Sequence, residues 1–138
     1  MKRLLSLKTL MIAGLIITLS GCITSPIYNV LDHPITHESG KVLTMEQISK
    51  AIFEAGNLDG WTMAQVRPGK IKATYVKPNY KAVINILYDQ YHYSIDYANS
   101  RNLQYDGKSI HHNYNNWIVK LSDEIRKNLT NEFIKEYK

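Results

Sequence analysis

The side chains able to do chemistry are concentrated between positions 89 and 117. His92, His111 and His112 lie there with Asp89, Asp96 and Asp106, while Ser94, Ser100 and Ser109 supply hydroxyls. A metal site needs ligands that converge on one point. Consecutive residues such as His111 and His112 are expected to point in different directions, and the chain has neither an HExxH motif nor a cysteine to join them, so no metal is expected. His111 reads as a half-buried residue at the start of a helix, bonded to backbone, and His112 as exposed. Nucleophilic catalysis needs a hydroxyl or thiol beside a base that an acid orients. None of the three serines sits in a GxSxG elbow between strand and helix, the arrangement that exposes such a nucleophile. Carboxylates for glycoside hydrolysis must flank one bond, and here they are neighbours only in sequence. The residues predict no catalytic group and no cofactor.

Tyrosine is the unusual feature. All ten follow Cys22, and Tyr88, Tyr91, Tyr93, Tyr97, Tyr105 and Tyr114 fall within 27 residues. Aromatic rings on a sheet can stack on sugars or grip a peptide, and their hydroxyls give directional hydrogen bonds. The same rings suit half-buried strands as plain packing, which is the preferred reading. Asn99, Asn102, Asn113, Asn115 and Asn116 fit turns and helix caps. A contact surface, if the domain has one, is expected on the uncovered sheet face or at His92, Tyr97, Tyr105, Asp106, His111, Tyr114 and Trp117, in loops and at element ends where function concentrates. Two alternatives use the same region. A small envelope hydrolase would need Asp96 or Asp106 within hydrogen-bond reach of His92 or His111. A glycan- or lipid-binding protein would need a concave apolar cavity between sheet and helices.

The elements that must position these residues begin after a targeting segment. Lys2, Arg3 and Lys8 are followed by the uncharged apolar run Leu10 to Leu19, too short for the roughly 20 residues of a comfortable span. It ends in Leu19-Ser20-Gly21-Cys22, which resembles the lipobox of bacterial lipoproteins. That resemblance implies a signal peptide over 1–21, cleavage before Cys22, a diacylglycerol on the cysteine sulfur and acylation of the new amino group. Two or three chains, at about 0.8 kcal/mol per buried CH₂, would anchor the protein far more firmly than one myristoyl group. An uncleaved anchor helix is the plainer alternative, but it leaves the chain's single cysteine unexplained. Ile23 rather than Asp follows the cysteine. By resemblance to enterobacterial lipoproteins this implies the periplasmic face of the outer membrane.

Composition bounds the rest. A chain of 138 residues, 44% hydrophobic and 21% charged, has the material for one domain of ordinary globular type. The 17 Lys and Arg include three in the signal, which leaves 14 against 12 Asp and Glu, a net charge of +2 after cleavage. That near balance, with the envelope address, argues against nucleic acid as a partner.

Residues 22–43 read as the acylated cysteine and a tether, with Pro26, Pro34 and Gly40 and no clear period. A flexible stretch of this length would average about 25 Å end to end. Pro26 to Leu31 is more apolar than a spacer requires, so it either docks on the domain as an edge strand or meets a partner. Burial of apolar runs beside a folded domain favours docking. A single α+β domain is expected over 44–138. Thr44 and Gln47 form a capping box before the stripe Ile48, Ala51, Ile52 and Ala55, which predicts a helix over 45–56, closed by Gly56 in a left-handed conformation. Strands follow at 61–66, 70–76, 82–88 and 93–97, separated by short turns, so an antiparallel meander of three to four strands is expected. Asn99 to Gly107 reads as a polar loop anchored by Leu103 and Tyr105. Tyr114, Trp117, Ile118, Leu121, Ile125 and Leu129 mark a final helix from Asn113 to Leu129 or beyond, and both helices are expected to cover one face of the sheet.

A longer pattern carries a second resemblance. Tyr93-Ser94-Ile95-x-Tyr97, Asn102-Leu103-x-Tyr105-Asp106-Gly107 and Ile110-His111-x-Asn113-Tyr114-Asn115-x-Trp117-Ile118, with the Gly60-Trp61 and Pro68-Gly69 pairs, resemble a widespread group of small proteobacterial lipoproteins of unassigned activity. The resemblance implies a Gram-negative envelope and transfers no site residue. Together these observations lead to the expectation of a lipid-anchored, non-catalytic binding or scaffolding module whose partners are the membrane, through the acyl chains on Cys22, and an envelope protein or peptidoglycan.

Overall fold

The structure, a computed structural model, describes residues 22–135. The signal peptide expected over 1–21 lies outside the described residues. The elements in chain order are β1 (Thr24–Pro26), β2 (Val30–Pro34), α1 (Met45–Leu58), β3 (Thr62–Arg67), β4 (Lys70–Val76), β5 (Lys81–Tyr88), β6 (His92–Arg101), β7 (Ser109–His111) and α2 (His112–Lys135). The α+β class is as expected. The sheet is larger than the meander alone, because five strands run in the order β2-β6-β5-β4-β3 and β1 pairs separately with β7. All pairings are antiparallel.

The meander forms where alternation is clean. Ile71, Ala73 and Tyr75 of β4 stand opposite Ile86, Ile84 and Ala82 of β5, and Ile86 in turn faces Ile95 of β6. These side chains lie on one face, where Ile71, Ile84, Ile86 and Ile95 have no exposed surface. The other face is polar, with Lys72, Asn85 and Asp96 in one row across three strands. Gly69, at φ +83°, turns the chain between β3 and β4. A Cβ there would lie 3.0 Å from the Tyr88 carbonyl oxygen.

Both helices join one buried cluster with the apolar sheet face. The capping box of α1 is present, with Thr44 Oγ1 accepting from Gln47 N at 3.2 Å and Gln47 Oε1 accepting from Thr44 N at 2.8 Å. The left-handed stop is Gly60 rather than Gly56. Gly60 has φ +85°, and Gly60 N and Trp61 N donate to Asn57 O and Gly56 O, the paired bonds of a Schellman ending. Gly56 lies inside the helix for a packing reason, since a Cβ there would sit 2.2 Å from Met63 Sδ. Helix α2 extends past Leu129 because the apolar stripe continues to Phe133, which is 2% exposed.

Residues 24–43 lie against the domain. Thr24 pairs with His111, Val30 with Ile95 and Pro34 with His92, while Val30, Ile35 and Leu43 are buried. Among the described residues no helix is long and apolar enough to cross a membrane.

Candidate functional site

The seven residues expected at a contact surface do not meet at one place. His92 is exposed at the start of β6, with Nδ1 4.0 Å from Asp89 Oδ1. Asp89 closes the β5–β6 turn by accepting from Tyr91 N and His92 N, both at 2.7 Å. Those backbone donors hold its carboxyl below the usual carboxylate range. Asp106 does the same at the turn before β7, accepting from Lys108 N and Ser109 N at 2.8 and 2.7 Å, with its pKa lowered by the same cause. Asp96 belongs to the polar sheet face. Among the described residues, the carboxylate beside His92 is that of Asp89, at 4.0 Å, and no ion pair of the kind the hydrolase reading required joins Asp96 or Asp106 to His92 or His111. Among the described residues, no three of His, Cys, Asp and Glu are placed to hold a metal.

His111 and His112 depart from expectation in one respect. Their rings stack, with centroids 4.6 Å apart at 26°. Alternation separates neighbours within a strand, but here the strand ends at His111 and the helix begins at His112, and that junction turns both rings the same way. His111 Nδ1 accepts from Asn113 N at 3.2 Å, so the neutral ring carries its proton on Nε2. His112 is exposed, and its Nδ1 donates to Ile23 O at 3.0 Å.

Most of the described tyrosines turn inward, while Tyr28, Tyr91 and Tyr105 are exposed. Tyr75, Tyr88, Tyr93 and Tyr97 belong to the helix-covered face of the sheet, and among the described residues no strand places a tyrosine or tryptophan on the polar face. Tyr97 lies between Tyr105, with centroids 4.0 Å apart, and Tyr114, at 5.8 Å and 71°. Tyr105 is part-exposed, whereas Tyr114 is wholly buried and offers no surface to a partner. Its hydroxyl has no hydrogen-bond partner, and burial drives its pKa well above that of a free tyrosine. Tyr93, also buried, contrasts with it. Its hydroxyl meets Ser122 Oγ at 2.7 Å, and burial raises its pKa as well. The tyrosine density of the sequence is largely core packing.

Trp117 leads to a group the sequence reading did not assemble. Its half-buried ring contacts Tyr75 at 4.7 Å, and Tyr75 contacts Trp61 at 5.1 Å. On the other side Trp117 reaches Tyr80 at 6.5 Å, and Tyr80 reaches His111 at 5.9 Å. A cavity of about 240 Å³ opens beside this seam, lined by Asp59, Trp61, Tyr75, Trp117 and Lys120. Lys120 Nζ lies 3.1 Å from Asp59 Oδ1, and the Asp59 side chain is only 5% exposed. Hydrogen bonding to Asp59 holds the Lys120 ammonium above its ordinary pKa. Asp59 Oδ2 is buried and has no hydrogen-bond partner. These residues come from the C-terminal cap of α1, its exit into β3, the end of β4 and the second and third turns of α2, so spacing in the sequence gave no sign of them.

Cys22 is exposed two residues before β1. The backbone that follows it is fixed, since Ile23 O accepts from both His112 N and His112 Nδ1 at 3.0 Å.

Comparison with known protein families, curated proteins and solved structures gives no match to this chain.

Proposed function

We propose that the protein is a lipoprotein of the Gram-negative envelope, acylated on Cys22 and held at the periplasmic face of the outer membrane, where its single domain acts as a non-catalytic binding or scaffolding module. The observation that carries this reading is the placement of Cys22, exposed at the head of a folded domain and directly after the charged, apolar and small-residue sequence of a lipoprotein signal. The resemblance to small proteobacterial lipoproteins supports the same compartment. The lack of an ion pair between Asp96 or Asp106 and His92 or His111 among the described residues favours binding over hydrolysis, and an envelope protein or peptidoglycan is the expected partner. Because β1 starts at Thr24, acyl chains on Cys22 would hold the domain against the bilayer instead of suspending it on a long tether. Conversion of Cys22→Ser tests the anchor. In a Gram-negative host, wild-type protein is expected to incorporate a palmitate analogue and sediment with outer membranes, and the variant to do neither. A variant that sediments as the wild type does would remove the basis of the proposal.

A further inference from the structure

The cavity beside Trp117 has the chemistry of a small-ligand site. Its walls are aromatic: Trp61 is 3% exposed and forms the floor, and Tyr75 and Trp117 are half-buried along the sides. Within this apolar surround stands one carboxylate with an unpartnered buried oxygen. An unsatisfied buried acceptor is costly and calls for an explanation. A carboxylate turns readily about χ2, so a donor in the cavity can reach either oxygen of Asp59. Lys120 Nζ, 3.1 Å from Oδ1, has N–H groups left to donate. The site therefore presents an acceptor and a donor side by side against aromatic rings.

Three features select the occupant. The Asp59 and Lys120 charges cancel, which favours a neutral molecule over an ion. Adjacent acceptor and donor suit vicinal hydroxyls, each of which both donates and accepts. The aromatic walls take the C–H face of a ring, and about 240 Å³ is room for one ring, not a polymer. We infer that this cavity binds a single pyranose unit of a glycan, stacked on Trp117 and Tyr75 with its hydroxyls bonded to Asp59 and Lys120. The inference rests on the binding-module reading but not on the Cys22 anchor, so each can fail without the other.

The chain's two tryptophans, Trp61 and Trp117, both line the cavity, so tryptophan fluorescence, excited beyond the absorption of the tyrosines, reports on this site. Full-length protein in a detergent without sugar headgroups is titrated with glucose, the other common hexoses, N-acetylhexosamines and their β-1,4 trisaccharides, with choline as a cationic control. A saturable change is expected for at least one saccharide, with a Kd of about millimolar order for a single ring, and none for choline. Asp59→Asn and Lys120→Met should each weaken binding at least tenfold while the circular dichroism spectrum stays unchanged. Absence of a saturable response to every saccharide, retention of binding in both variants, or a response to choline instead would overturn the inference. Acylation of Cys22, measured on the same preparation by mass, separates failure of this site from failure of the anchor.

Discussion

Two buried tyrosines in different hydrogen-bonding states should respond in opposite directions to the same change. Tyr93 is 1% exposed and Tyr114 0%, so neither hydroxyl is hydrated by bulk water. The Tyr93 hydroxyl is 2.7 Å from Ser122 Oγ, whereas that of Tyr114 is unpartnered. Removing the Tyr93 hydroxyl forfeits a hydrogen bond worth about 1 kcal/mol, and Ser122 can recover part of the loss by bonding back along its helix. Removing the Tyr114 hydroxyl deletes a group whose burial without a partner costs about 1–3 kcal/mol. Tyr93→Phe is therefore expected to destabilise by about 1 kcal/mol and Tyr114→Phe to stabilise by about as much. In a domain near 100 residues each corresponds to about 4–8 °C in Tm, with opposite sign. Urea unfolding followed by circular dichroism, with unchanged m-values, is the assay. A loss of stability in Tyr114→Phe equal to that in Tyr93→Phe would refute the reasoning. The same residues set the alkaline limit. Both pKa values are raised in the folded state, so the folded protein keeps protons that the unfolded chain releases above about pH 10, and stability falls there by up to about 1.4 kcal/mol per pH unit per group. Tyr114→Phe should flatten that decline.

Gly56→Ala sets a gain of about 1 kcal/mol in helix propensity against overlap with Met63 Sδ, 2.2 Å from the added Cβ, which costs about 1–3 kcal/mol. It should be neutral to destabilising in the wild type and stabilising by about 1 kcal/mol in a Met63→Ala background, as a double-mutant cycle in urea would show. Thr44→Ala breaks the capping box and should cost about 1 kcal/mol, read as a lower Tm without a change in fold. His33 has its pKa lowered by burial and by Arg126, so its neutral form favours the folded state. The stability it contributes is present above the usual histidine pKa and is lost as pH falls through the lowered value. His33→Gln should remove that part of the Tm decline between pH 7 and 5.

What the sequence revealed depended on the length and regularity of each element. Helix α1, strands β4 and β5 and the stripe of α2 carry their own periodicity, so each was legible within a residue or two. Strands β1, β2 and β7 are three to five residues long, two of them end in proline, and their strand state is fixed by partners far along the chain, as in Thr24 opposite His111. The apolar run Pro26 to Leu31 pointed to docking as an edge strand, but no local pattern encodes the partner or the register. Gly56 and Gly60 illustrate the same limit, because which glycine takes the left-handed conformation depends on where Met63 packs. The expected contact residues lie near one another in sequence, but the fold divides them: Tyr97, Tyr105 and Tyr114 meet in one ring contact with Tyr114 in the core, and His111 and Trp117 flank Tyr80. The cavity lined by Asp59, Trp61, Tyr75, Trp117 and Lys120 is assembled by topology from the α1–β3 connection, β4 and α2, and of these only Trp117 was expected at a contact surface. The proposal for Cys22 rests on a signal read in linear order, which needs no fold to assemble it.

The mass of the amino-terminal peptide of the native protein, purified from Gram-negative envelopes, tests the central claim most directly. Acylation predicts a chain that begins at Cys22 and carries a diacylglyceryl group on sulfur with a further acyl chain on nitrogen. A chain that retains Met1 and a free Cys22 thiol would contradict it.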